Sequence, residues 1–336
     1  MKKTLLATAI AGAMGLSAAS AQAATVYNQD GTKLDLYGNI QLAYYSVDAG
    51  IGGNVDEIAD NGSTIGVAGE HVINPGLVGY FKAEWEHDAD EEKTAGGINT
   101  GDQAYLGLRG DFGDVRLGSY DALIDDWIQD PITNNEFFDV SDSSTEANLV
   151  GVGGINEGDK VTYTSPVFGG FQFALGTQYK GEAEAENVTD SGNASFFAGA
   201  RYTVGAFSIA AVYDDLDNFA DAFQNNGNFG EQYGVTAQYT IDSLRLAAKV
   251  EHFDSDFVDA DVDLYALSAR YGYGMGDVYG AYQYVDNEAE ADERNEVVLG
   301  ATYNISDAMY TFVEGAVRDR DHDEGDGVAV GVTYLF

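Results

Sequence analysis

Val328-Ala329-Val330-Gly331-Val332-Thr333-Tyr334-Leu335-Phe336, the last nine residues, decide the fold. Val328, Val330, Val332, Tyr334 and Phe336 alternate with Ala329, Gly331, Thr333 and Leu335, the period of two that a half-buried strand requires. The pattern recurs upstream. Phe171, Phe173, Leu175 and Tyr179 alternate with Gln172, Ala174, Gly176 and Gln178, and Tyr233, Val235, Ala237 and Tyr239 with Gln232, Gly234, Thr236 and Gln238. Helical spacing is nearly absent.

Two kinds of interruption divide this pattern. The short ones are Asn74-Pro75-Gly76, Gly110-Asp111-Phe112-Gly113, 165–170, Gly205, Ile241-Asp242-Ser243, 272–276 and 305–307. The long ones are acidic and rich in Asn and Gly: 48–61, 89–99, 120–157, 181–193, 214–229, 255–261, 286–294 and 319–326. Short turns interleaved with long loops predict roughly 16 antiparallel strands, short turns at one end and long loops at the other. Roughly 20 residues per strand and connection suits strands of about ten residues crossing a bilayer.

A soluble sheet would pack Leu, Ile and Val into a core. Here the polar-face residues are small or uncharged, and the apolar face carries Tyr44, Tyr179, Tyr213, Tyr239, Tyr284 and Tyr303 near strand ends, as interfacial girdles require. Pro75, Pro131 and Pro166 fall between strands, so no ladder bond is lost to them. The mean hydropathy of −0.21 fits strands whose second face lines water. These features favour an all-β transmembrane barrel over a soluble β-sandwich or solenoid.

The N-terminus points to export. Lys2 and Lys3, the apolar stretch Leu5–Leu16 and Ala21-Gln22-Ala23 have the layout of a cleaved secretory signal peptide over residues 1–23. The barrel domain then runs from 24 to 336. Beyond the leader there is no apolar run of transmembrane-helix length. There are no cysteines, which excludes disulfides, thiolate metal sites and cysteine nucleophiles. Without Lys2 and Lys3, 14 basic residues face 56 acidic ones, a net charge of −42 that makes nucleic acid a poor partner. The 22 Tyr and 17 Phe argue against a disordered acidic chain.

Motifs for chemistry are weak. Gly153 and Gly158 frame a Walker-like spacing that continues Asp159-Lys160-Val161, without the Lys-Ser/Thr pair or a following helix. Asp319, Asp321 and Asp323 begin like a calcium loop, but Gly325 falls one place late. His71, His87, His252 and His322 show no paired ligand spacing, and no nucleophile–His–acid arrangement stands out. The sequence therefore nominates no catalytic residue, metal or cofactor.

Both ends resemble one family. Val26-Tyr27-Asn28-Gln29-Asp30-Gly31-Thr32-Lys33-Leu34-Asp35-Leu36-Tyr37-Gly38, Ile65-Gly66-Val67-Ala68-Gly69-Glu70 and the closing strand ending in Phe336 are similar to the general trimeric porins of Gram-negative bacteria, especially those of marine gammaproteobacteria. The resemblance implies a homotrimer of barrels of about 16 strands in outer-membrane lipid and lipopolysaccharide. It also implies a C-terminal Phe336 read by the barrel-assembly machinery, and a third loop folded into the lumen. That loop spans 120–157, and Asn135-Glu136-Phe137-Phe138-Asp139 resembles the family's Pro-Glu-Phe-Gly-Gly tip with the Pro and both Gly replaced.

Enterobacterial members face an acidic third loop with basic wall residues. The corresponding positions here are Asn39, Thr64, Asp102 and Thr164, none of them basic. Lys82, beside Glu84, and Arg116 have inward register, as do Arg201, Arg245 and Arg270, whereas Asp125, Asp126, Asp130, Glu136 and Asp139 stand on the third loop. The expectation is a porin passing small hydrophilic solutes and ions by diffusion, with cations preferred. A substrate-specific channel and an adhesin or phage-receptor role for the loops are the alternatives. Gly38 and Gly79 are expected to suit close packing between protomers.

Overall fold

The computed structural model describes residues 23–90, 98–132, 135–140, 158–179, 194–216, 230–255, 260–288 and 293–336. Most of the leader lies outside the described residues, as do 133–134 and 141–157 of the third loop.

The alternating stretches form β1 (Ala24–Gln29), β2 (Thr32–Asp48), β3 (Asn54–Asp60), β4 (Thr64–Asn74), β5 (Leu77–His87), β6 (Ile98–Gly110), β7 (Gly113–Ser119), β8 (Lys160–Thr164) and β9 (Phe171–Tyr179). They continue as β10 (Ala194–Val204), β11 (Phe207–Asp215), β12 (Glu231–Ile241), β13 (Leu244–Ser255), β14 (Ala260–Gly272), β15 (Asp277–Asn287), β16 (Arg294–Ser306), β17 (Met309–Arg318) and β18 (Gly327–Leu335). These 18 segments make 16 staves. Along one edge of β2, β3 pairs with 42–48 and β4 with 32–39; along the other, β18 pairs with 39–47 and β1 with 32–36. Every pairing among the described residues is antiparallel, and β18 on β2 closes the ring, as a sheet in lipid requires.

Two boundaries differ from the sequence reading. Acidic 48–61 was expected to be one loop, yet Asn54–Asp60 is a strand on the outer half of β2, leaving a connection of 49–53. Its Asp and Glu side chains are mostly exposed to solvent, so the ladder forms without needing an apolar face. The short-turn series also gains Asp30-Gly31, with φ of 53° and 75°, joining β1 to β2. Asp-Gly is a strong signal for a turn needing two left-handed residues.

The faces separate charge from lipid. Leu106, Leu117, Leu175, Val235, Leu267, Leu299 and Val313 point outward and are exposed. The cations do the opposite. Lys33, Lys82, Arg109, Arg116, Lys160, Arg201, Arg245, Lys249, Arg270, Arg294 and Arg318, every basic residue on a described strand, have inward register. A Lys or Arg facing lipid at mid-membrane costs about 2–4 kcal/mol, which explains the segregation.

The inner wall also has a packing rule. Tyr37 sits directly opposite Gly66, Tyr80 opposite Gly107, Phe197 opposite Gly176, Tyr279 opposite Gly300 and Phe312 opposite Gly331. In each pair the ring lies in the space that a glycine Cβ would occupy. The rings therefore lie flat on the sheet rather than standing into the lumen. Gly38 has a related role: its Cβ would come 2.7 Å from the Phe336 ring and 2.5 Å from the Thr64 carbonyl. Its smallness serves barrel closure within one chain, where Gly38 and Phe336 exchange backbone hydrogen bonds of 2.9 and 3.0 Å.

Candidate pore constriction

The third loop leaves β7 after Ser119 and turns inward. Its first limb contains a π-turn over Asp125–Gln129, closed by the Asp130 N–H on the Asp125 carbonyl at 2.9 Å. Ala122, Leu123, Ile124, Trp127 and Ile128 form one buried cluster with Ala174, Phe197, Ala210 and Val212 of β9–β11. Burying such side chains contributes about 1.5–3 kcal/mol each. The wall is small where the limb docks: a Cβ on Gly199 would lie 2.9 Å from Leu123, and one on Gly234 would lie 2.7 Å from Ile128. The Thr236 hydroxyl donates to the Ile128 carbonyl at 2.5 Å.

The tip crosses to the other wall. The buried Glu314 carboxylate on β17 accepts the backbone N–H groups of Glu136 (2.6 Å), Phe137 (3.0 Å) and Phe138 (2.7 Å), and the Tyr279 hydroxyl at 2.5 Å. Asn61 Nδ2 donates to the Glu136 carbonyl at 2.7 Å, and the Arg318 guanidinium donates to the Phe138 carbonyl. Phe137 packs on Tyr45, with ring centroids 5.2 Å apart. Asp139, at the place of the family motif's last Gly, adopts a φ of 40°; Asp is among the few residues that tolerate this left-handed region.

The loop acids meet wall cations. Asp126 is 4.0 Å from Arg116, whose guanidinium lies 3.8 Å from the Tyr120 ring centroid and 5.0 Å from that of Tyr105. Burial pushes the Asp126 carboxyl up to about 6, against the pull of Arg116. Asp130 lies within electrostatic range of Arg245, and Asp125 heads the turn. Glu136 receives Arg270 Nη2 at 3.3 Å and the Tyr310 hydroxyl at 3.0 Å; burial raises its carboxyl above the usual range despite both. Asp139 accepts Asn135 Nδ2 at 3.1 Å and faces Arg318 electrostatically.

On β2 and β4, Asn39 and Thr64 form a reciprocal pair: Asn39 Nδ2 donates to Thr64 Oγ1 at 3.0 Å, and the Thr64 N–H to Asn39 Oδ1 at 3.2 Å. Lys82 Nζ reaches Glu84 Oε1 at 3.2 Å and Gln103 Oε1 at 3.1 Å, while Gln103 Nε2 donates to Asp121 at 2.7 Å. A register shift in β6 brings Asp102 against Glu84. Thr164 stands apart, ending β8 opposite Asp114 at the short-turn end. Local sequence pattern does not point to Glu314, Asn61, Tyr310 or Arg318, because their loop partners are distant along the chain.

A closed barrel with an apolar exterior, a charged inner wall and an inward loop defines a transmembrane channel. The chain belongs to the Gram-negative porin family, whose profile matches residues 7–323. It is 57% identical over 369 aligned positions, covering 100% of both chains, to a protein named monosaccharide porin from Halomonas sp. The identity and coverage are the same with the major outer membrane protein of Halomonas elongata. The fold matches Salmonella typhi OmpF with a TM-score of 0.74 at 21% identity, covering 93% of this chain and 100% of that one. The protein is thus an outer-membrane porin for passive diffusion, in a family of channels rather than enzymes.

Proposed function

We propose that this porin is a homotrimeric channel for small hydrophilic solutes that prefers cations, its eyelet framed by Asp125, Asp126, Asp130, Glu136 and Asp139 on the loop. Asn39, Thr64, Lys82, Glu84, Asp102 and Arg116 belong to the barrel wall at this level, and Thr164 to the wall nearer the short-turn end. One observation carries the cation preference: Lys82 shares its corner with three carboxylates, Glu84, Asp102 and Asp121. Of the loop acids, Asp126 and Glu136 are met by Arg116 and Arg270, and further negative charge resides in this corner and in the −42 balance after the leader. Residues 1–23 direct export, Phe336 engages the barrel-assembly machinery, and lipopolysaccharide surrounds the outer rim.

The reversal potential in a salt gradient tests this reading. Its expected sign is that of a cation-preferring pore; an anion-preferring sign overturns it. A second reading, a monosaccharide-selective channel, is favoured by the name of the Halomonas relative and by the half-buried Tyr45, Tyr105 and Tyr310 on the inner wall. Liposome swelling separates the two. Rates that fall with solute mass and do not saturate indicate general diffusion, whereas saturation by one sugar supports selectivity.

A further inference from the structure

At the long-loop end of β13 and β14, side chains of a different kind collect on the outward face. Phe253 and Val262 are buried on the inner side, so their neighbours His252, Asp254, Asp261 and Asp263 point outward. Asp254 stands directly opposite Asp261 on one side and opposite Glu231 of β12 on the other. Asp263 stands between His252 and Asp286 of β15. Like charges directly opposite each other destabilise a ladder. Every Lys and Arg on a described strand has the other parity, so none of them relieves this face.

His252 distinguishes the group from an ordinary solvated acidic surface. Its Nδ1 lies 2.8 Å from Asp263 Oδ1, and its ring centroid lies 4.9 Å from that of Tyr233. Both contacts fix the imidazole, and neither uses Nε2. A carboxylate on one ring nitrogen is what a metal-ligating histidine needs, because it sets the tautomer and raises the basicity of the other nitrogen. One ligand atom from each of His252, Asp254 and Asp261 lies within 4.8 Å of the others. Small side-chain rotations bring such a set to bonds of about 2.0–2.2 Å around one ion. The level on the barrel gives access. Tyr265 and Tyr284, whose ring centroids are 6.2 Å apart, stand two residues nearer mid-membrane than Asp263 and Asp286, as an interfacial girdle does. The Asp263 side chain is 38% exposed and that of His252 21%.

We propose that His252, Asp254 and Asp261 bind one divalent transition-metal ion of the zinc class on the outward face of the barrel rim, with Asp263 positioning the imidazole. Imidazole together with carboxylates suits zinc, whereas magnesium and calcium take oxygen ligands. Three protein ligands leave a coordination position for water. The ion ties β13 to β14 beside the loop that joins them and offsets the repulsion between Asp254 and Asp261. It faces away from the lumen, so it is separate from the ions that the channel passes. No pair of histidines signals it in the sequence, because Asp261 joins His252 and Asp254 only through strand register.

The probe is zinc ion alone, titrated calorimetrically into the purified full-length porin in detergent after metal removal with EDTA, with magnesium as reference. One zinc per chain is expected, with a higher unfolding temperature when it is bound. His252→Gln and Asp263→Asn are each expected to weaken binding about tenfold or more, the first by removing a ligand and the second by freeing the ring. Single-channel conductance shows that each variant barrel is intact and is expected to match wild type. Asp261→Asn gives a second reading should His252→Gln fail to assemble. His322→Gln, in the acidic 319–326 loop, is the control for a histidine elsewhere on the surface and should bind as wild type does. Zinc binding without saturation at one per chain overturns the proposal, as does magnesium binding as tightly as zinc. Unchanged binding in both His252→Gln and Asp261→Asn, or an equal loss in His322→Gln, overturns it too.

Discussion

The Glu314 carboxylate receives the Phe138 backbone N–H at 2.7 Å, joining β17 to a loop 176 residues earlier. It does the same for Glu136 and Phe137, so three successive donors end on one buried side chain. Glu314→Gln keeps the volume but replaces one acceptor oxygen with an NH₂ group. Backbone donors are then left unpaired in a buried place, at a cost of about 3 kcal/mol. The expected result is a larger and noisier single-channel conductance with earlier thermal dissociation on a gel. Tyr279→Phe, which removes only one donor, should show a weaker form of both. Wild-type conductance in Glu314→Gln would mean that the tip is held elsewhere.

Tyr80 lies on Gly107, and its hydroxyl donates to both Asp114 oxygens at 2.6 and 2.7 Å. In Gly107→Ala the new methyl occupies the place of the ring. Tyr80 must lift away from the sheet, losing contact and the Asp114 bonds, with overpacking costing about 1–3 kcal/mol. Reduced conductance and a lower unfolding temperature are expected together. Tyr80→Leu in the same background should restore conductance, because the obstructing ring is gone. Failure of that rescue would place the defect in folding alone.

These pairs mark the limits of what sequence could reveal. Periodicity located the C-terminal strand and the inward parity of Arg116, Arg201, Arg245 and Arg270, because side-chain direction in a strand depends only on local count. It did not show that Arg270 meets Glu136, since that distance depends on how far the loop reaches across the lumen. The tip motif placed Glu136 and Phe137 on the loop, but nothing local marked Glu314 as its anchor. β3 escapes the sequence pattern for another reason: its ladder is backbone-made, and its side chains are mostly exposed and include Asp56, Glu57 and Asp60.

Asp126 makes the loop sensitive to mild acid. Burial raises its carboxyl to about 6 from the ordinary 3.8, while Arg116 acts in the opposite direction. The folded chain thus holds this proton more tightly than the unfolded chain. Protonation therefore stabilises the fold as pH falls through about 6 toward the unfolded value, although it removes a negative charge from the loop. Cation preference is expected to weaken between about pH 7.5 and about pH 5, with the fold intact. Reversal potentials across that range test it. Asp126→Asn should flatten the curve, and a curve unchanged by the substitution would assign the titration to another group.

Glu136→Gln combined with Asp139→Asn tests the loop's share of the field most directly. Glu136 is met by Arg270, which keeps Asp277 at 3.2 Å, and Asp139 faces Arg318, which keeps Glu296 at 3.7 Å. The double variant therefore leaves both arginines partly compensated, so neither charge is stranded and the loop can stay in place. The amide side chains introduced at the two positions retain hydrogen-bonding capacity toward Tyr310 and Asn135. Two negative charges are nevertheless lost beside two positive ones, and the local potential moves toward positive. The expected outcome is a lower cation preference at nearly unchanged conductance, read from reversal potentials in potassium chloride gradients. An unchanged reversal potential would show that ions pass too far from the loop tip to feel it, and would place the selective field in the Lys82, Glu84 and Asp102 corner.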